Sequence, residues 1–421
     1  MPQGNVASSS GAMLEYVKSS LEVLTLVSSV LLKRFNNRTD VKPVSTRPTR
    51  IPFQPLTQGG MRIGAFDGQD LGLGSAPVET EGTLTCVPLL QASQYTFLSE
   101  WASDSTTKAV KSYSALVEEQ SSEVFAGFID SLIALSDGSN TLDSVVGLTG
   151  TNGVIVNNVH GFQDLQEVMF WSALNGTLRG NATIQSVDPG NNTLWFTAAL
   201  PAGVIANDLI LPAGSTGQPN TGINGLFYYN VAGNLGNFMG IQRSSFPGKF
   251  STPNVNRGGN AMTTATVRAL FAQIVLRLGP ERANSAELVC HGNVEAQAAW
   301  ENIALNVQQI TMNEVKGDQI TDMLTKEAPT TIAKREFIVN VRARPGRIDF
   351  LPLNNWFRIE TRKTDLVDVK GQTAFPVIGE SGGIASSIVS YRASVMQVGT
   401  SNPGLNAFYS NFAIPTGYFG H

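Results

Sequence analysis

Charge is scarce in this chain. Asp, Glu, Lys and Arg make up only 15% of its 421 residues, against about a quarter in an ordinary soluble domain. A neutral polar surface suits a protein that buries much of itself against neighbours. The net charge of −4 argues against a dedicated nucleic-acid binder, which would be basic. Cysteine is almost absent. Cys86 and Cys290 are too few and too far apart to declare a disulfide framework, so a reducing compartment is the default. Three scattered histidines complete no zinc cluster with them. Long hydrophobic runs are missing too: Leu21 to Leu32 is too short to span a bilayer and is interrupted by Glu22, Thr25, Ser28 and Ser29. No Lys or Arg precedes Lys18, so a signal peptide is not indicated. The reading is a soluble chain that stays where it is made, with no membrane partner.

Catalytic patterns are equally thin. Gly379-Glu380-Ser381-Gly382-Gly383 matches a nucleophile elbow. However, no Asp or Glu follows Glu380, the only later histidine is His421, and Pro376 disturbs the strand such an elbow needs. Ser381 reads better as part of a turn, leaving a serine hydrolase as the remote alternative. Cys290 and His291 are adjacent on an expected strand and point to opposite faces, so they cannot easily pair. Gly72-Leu73-Gly74 begins a dinucleotide fingerprint, but Pro77 occupies its last glycine position. No catalytic residue, metal or cofactor is expected.

What the chain does have is glycine, 41 residues of it, and enough apolar content at 42% to build two subdomains. Ser105 to Leu135 lies in the longest proline-free run. Val110, Tyr113, Val117, Val124, Phe128, Leu132 and Leu135 recur at steps of three and four, which predicts one long amphipathic helix. Asp104 or Ser105 is the expected cap, and Asp137-Gly138 the stop. Upstream, Met13 to Phe35 reads as a helix with Leu14, Val17, Leu21, Leu24, Leu31 and Phe35 on one stripe. It is either a core helix or an arm packing on a neighbouring subunit. The proline-rich linker 39–55 that follows favours the arm. Gln58 to Ser103 then mixes seven glycines between 59 and 82 with Met61, Ile63, Phe66, Leu71 and Leu73, and adds a strand at 83–90. A two-stranded ribbon projecting onto another molecule accounts for both features.

Beyond the long helix, 154–159 reads as a strand and 162–174 as a short helix. Residues 176–212 read as an inserted all-β module with a Pro189-Gly190 turn. Thr263 to Leu278 is a capped helix stopped by Gly279-Pro280. Ala286 to Cys290 is a buried strand, 293–309 a helix, and 336–398 mainly strands. The one basic region is Lys334, Arg335, Arg342, Arg344, Arg347, Arg358, Arg362 and Lys363. Glu336, Asp349 and Glu360 are interleaved with it, so mutually paired strand faces are the simpler reading. An arginine-rich contact with a neighbour or with packaged nucleic acid is the other.

Several stretches resemble one family in content and order. They are GLFYYN at 225–230, GIQRSSFPGKF at 240–250 followed by the helix TTATVRALFAQIVLRLG, the strand AELVCHG, RPGRIDFLPLNNW at 344–356, and SYRASVMQVGTSNPGLNAFYSNFAIP at the end. Together with the arm, glycine-rich loop and long helix before them, they resemble the major capsid proteins of tailed bacteriophages with the Hong Kong 97 fold. The resemblance implies an α+β architecture. Residues 1–50 would be an N-terminal arm, 51–103 an extended β-loop and 104–139 the spine helix of a peripheral domain. Residues 140–350 would be an axial domain carrying the all-β module, and 351–421 strands returning to the peripheral domain. It implies hexamers and pentamers of one chain closing an icosahedral shell around double-stranded DNA. A portal, and scaffold or decoration proteins, would be further partners. Leu14, Val17, Leu21, Leu24, Leu31, Met61, Arg62, Ile63 and Phe66 would form inter-subunit contacts. An encapsulin-type nanocompartment shell shares the same implied fold. The family's type member joins subunits covalently through a lysine on the extended loop; here no lysine lies between Lys42 and Lys108, so non-covalent contacts are expected. Only about 50 residues precede the loop, so a separate scaffold is expected.

Overall fold

A computed structural model describes residues 30–37, 47–56, 76–102, 113–218, 221–279, 288–301, 303, 331–332, 335–378 and 384–414. Everything is arranged around the helix Tyr113–Leu135, about 35 Å long at the rise of an α-helix. Residues 103–112, where its first turns and its Asp104 or Ser105 cap were expected, lie outside the described residues. In the first described turn the Glu100 carboxylate accepts from both the amide and the hydroxyl of Ser114, at 2.8 and 2.9 Å. At the other end Gly138 takes a left-handed conformation, φ +95°, as the Asp137-Gly138 stop requires.

The buried stripe differs from the expected one by a residue. Phe125, Ile129, Leu132 and Ile133 form the core face, while Val124 and Phe128 are only half-buried. From Ile129 to Ser136 the helix is buried all round, so amphipathic periodicity loses its meaning there.

Two sheets flank this helix. The first is built on the long strand Ile384–Thr400. Trp356–Leu366 pairs along its second half, Ala374–Ile378 along its first half, and Val87–Thr96 along the opposite side. Val87–Thr96 is therefore an edge strand of this sheet. The second sheet has six strands, in the order Asn254–Asn256, Ala407–Ser410, Arg347–Pro352, Leu288–Gly292, Arg335–Val339 and Thr331–Ile332. Its central strand, Leu288–Gly292, is buried at every residue. The helix Thr264–Leu278, capped by the Thr263 hydroxyl on the Thr266 amide, lays Val267, Leu270 and Ile274 on this sheet.

Residues 143–212 close into a six-stranded antiparallel barrel. The expected module began too late: Asp143–Thr149 and Gly153–Val156 belong to the barrel as well. The short helix expected at 162–174 is instead a loop and a strand, Glu167–Trp171, preceded by a 3-10 turn at Val159–Gly161. Val-Met-Phe-Trp is a β-prone run too short for a buried helix, and Val168 and Phe170 fill the barrel interior with Val145, Val154, Ile184 and Phe196.

A ribbon formed by Thr49–Leu56 and Val78–Leu84 leaves the body of the fold. Its base is fixed where Phe53 meets the rings of Phe238 and Phe250. A side chain at Gly82 would run into Phe53, which explains a glycine in mid-strand. A ribbon was expected within 58–103, but its first strand, Thr49–Leu56, falls mostly in the expected linker 39–55; residues 57–75 lie outside the described residues.

Candidate assembly interface

The chain's own junctions come first, because they decide which apolar residues remain for a neighbour. Asp130, wholly buried on the spine helix, accepts the amides of Leu31 and Leu32 at 2.7 and 3.0 Å and the side-chain amide of Asn340 at 3.0 Å. It thereby ties the short helix Leu31–Arg34 and the second sheet to the spine. Leu31 is 0% exposed, and Phe35 stacks on Trp356 at 5.1 Å. This corrects the inter-subunit role expected of Leu31: with no surface left, it serves this chain's own core. Its burial stabilises the fold by roughly 2 kcal/mol. Leu14, Val17, Leu21, Leu24, Met61, Arg62, Ile63 and Phe66 lie outside the described residues, as does Ser381.

The GLFYYN and GIQRSSFPGKF stretches prove to be one construction. Arg243 is almost fully buried. It donates to the carbonyls of Phe250, Tyr228 and Tyr229, using the fork of donors that only arginine offers. Burial pushes its guanidinium below the usual arginine range, partly offset by Tyr228 and Tyr229. Gly225 opens the first stretch beneath the end of the spine helix. A Cβ there would press on the carbonyls of Ser136, Ile133 and Leu132 at 2.6–2.7 Å.

Two arginines of the basic region, Arg347 and Arg358, pair with acids interleaved in it. Arg347 grips Asp349 through Nε and Nη2 and packs over the rings of Phe227 and Phe408 at 4.0 and 4.4 Å. Arg358 pairs with Glu360 and donates to the Leu32 carbonyl. Glu336 takes Arg34, at 2.6 Å. The paired-face reading holds for Arg347 and Arg358, whereas Glu336 pairs outside the set; Lys334 lies outside the described residues. Cys86 and Cys290 are both free and buried, with burial pushing both thiols up. His291 is buried beside Cys290 but stands across from Asp349 in the sheet. A cleft of ≈ 320 Å³ holds Asp137, Asp143 and Arg344. Burial raises the Asp143 carboxyl there, against hydrogen bonds from Asn157, Ser144 and Asn158.

Among the described residues, a groove and several apolar side chains stand open. The groove, ≈ 400 Å³, runs between Leu90, Gln91, Ala92 and Gln94 of the edge strand, Val124, Phe125 and Phe128 of the spine helix, and residues 163–167 of the barrel. Consecutive strand residues line it because the free edge of Val87–Thr96 faces it. Leu90 is 67% exposed. Two buried polar atoms of groove residues, Gln91 Oε1 and Gln166 Nε2, have no hydrogen-bond partner among the described residues. Such orphan groups are uncommon in a finished interior. Asp164 and Glu167 supply an acidic rim. The helix Phe97–Ala102 carries Leu98 and Trp101, 58% and 64% exposed. The sequence reading missed this helix inside the loop segment. Its signal is Thr96-Phe-Leu-Ser99, a reciprocal cap in which each hydroxyl accepts the other residue's amide.

No protein-family model matches the sequence, and no curated protein matches it. Among solved structures the chain is similar to a chain of the cyanophage A-1(L) capsid asymmetric unit. The identity is 12%, the TM-score is 0.56, and the match covers 94% of this chain and 96% of that one. The capsid of the native GTA particle is matched at 10% identity and TM-score 0.48 over 95% of this chain and 96% of that one. The capsid of cyanophage P-SCSP1u is matched at 9% and 0.44 over 95% and 92%. Spine helix, edge-stranded sheet, six-stranded sheet and ribbon thus form, on the strength of the A-1(L) match, a phage-capsid fold.

Proposed function

We propose that this chain is the major shell protein of a tailed phage. Copies of it, grouped as hexamers and pentamers, close an icosahedral capsid of the Hong Kong 97 type around double-stranded DNA, with no catalytic role. The observation that carries the reading is the shared fold with the A-1(L) capsid chain along nearly the full length of both. The barrel at 143–212 is then an insertion in the axial part of that fold. The low charge content fits, because a shell subunit covers most of its surface with neighbours.

The groove beside the edge strand is the receptor surface in this reading, and residues 57–75 of a second copy are its occupant. That segment springs from the far end of the ribbon, about 23 Å from where Leu84 enters the sheet. It carries Met61, Ile63 and Phe66 for the apolar floor, backbone groups for the free strand edge, and Arg62 for the rim of Asp164 and Glu167. Electron microscopy of the purified chain tests the function: closed hollow particles support it, and compact monomers under every assembly condition contradict it.

A further inference from the structure

His291 is 1% exposed, and neither ring nitrogen has a hydrogen-bond partner among the described residues. It lies on the central strand of the second sheet, opposite Asp349 in antiparallel register, so the two side chains share a face. Three charged groups act on it: Asp349 and Arg347 from the neighbouring strand, and Asp130 from the spine helix. Both carboxylates are already engaged. Asp349 is held by Arg347 and by the Asn230 side-chain amide. Asp130 is held by the amides of Leu31 and Leu32 and by Asn340. Arg342 acts on Asp130 from the same junction, so with a neutral ring two arginines face two carboxylates, and a protonated ring adds one cation more than the carboxylates balance.

We propose that His291 is an acid-sensitive latch for residues 30–37. Taking one proton from solvent, its imidazolium competes for the Asp130 carboxylate, which then releases the Leu31 and Leu32 amides and frees the segment from the spine helix. Asp130 is the carboxylate the ring competes for: its hydrogen bonds come from amides, with Arg342 acting on it by charge as well, while Asp349 keeps a bidentate arginine. Burial holds the ring below the ordinary histidine range, with Asp349 and Asp130 acting against it and Arg347 with it. An opened junction, exposed to water, binds the proton near the ordinary value of about 6.5. The closed form therefore has its full advantage above that pH, and loses it progressively as pH falls toward the lowered value. All the groups belong to one chain, so the latch stands or falls independently of the shell reading.

Amide hydrogen exchange of the full chain between pH 7.5 and 5, corrected for intrinsic rates, tests it. Protection of residues 30–37 is expected to drop about tenfold toward pH 5 in the wild type, and to stay level in His291→Gln or His291→Leu. An equal drop in a folded variant, or no drop in the wild type, overturns the proposal. If neither variant folds, histidine resonances of the wild type decide. Loss of protection must follow the titration of a ring below the ordinary range; following no histidine overturns the latch.

Discussion

Leu31 and Leu90 show that apolar character alone does not tell a core residue from a contact residue. Both are leucines with another leucine next to them in sequence. Leu31 has its amide fixed by Asp130 and no exposed surface, whereas Leu90 stands on an open edge. Leu31→Ala is expected to destabilise the chain by about 2–5 kcal/mol, read as a lowered urea midpoint. A variant with unchanged midpoint would return Leu31 to the interface. The sequence placed Leu31 on an arm because nothing local reveals a hydrogen bond to a residue 99 positions away. The paired arginines were more legible, since Arg347 and Asp349 lie two apart and share one face of a strand.

At the scale of elements, long regular pieces were readable. Thr263 caps and Gly279 ends the helix Thr264–Leu278 as its sequence says, and the stop at Gly138 follows from φ +95°. Periodicity failed where tertiary packing overrode it. The spine helix is enclosed on all sides from Ile129 onward, and Glu167–Trp171, a β-prone run, is held as a strand by its pairing in the barrel. The groove could not be read from sequence, because it is assembled from four stretches separated by 30 residues or more. Its role has a direct check. Leu90→Lys replaces an exposed side chain and should change stability by less than about 0.5 kcal/mol, yet it places a charge in the groove and should abolish closed particles. Normal assembly of the variant, seen by light scattering, would remove the groove from the interface.

For the whole molecule, a fold shared with a capsid chain at 12% identity is held by many weak, dispersed terms. Few of them keep the same residue type, so the order of elements carries the likeness better than any one motif. No lysine lies between Lys42 and Lys108, so the loop has no amine for an isopeptide bond. Assembled particles boiled in denaturant should run as a single 45.0 kDa band, and a covalent ladder would contradict non-covalent closure.

The most direct measurement is a cryo-electron-microscopy reconstruction of particles formed by the purified chain. The account predicts an icosahedral shell in which residues 57–75 of each copy lie along Val87–Thr96 of the next, with Met61, Ile63 and Phe66 over Val124 and Phe128. A shell whose subunits leave that strand edge bare, or a protein that forms no shell, would contradict it.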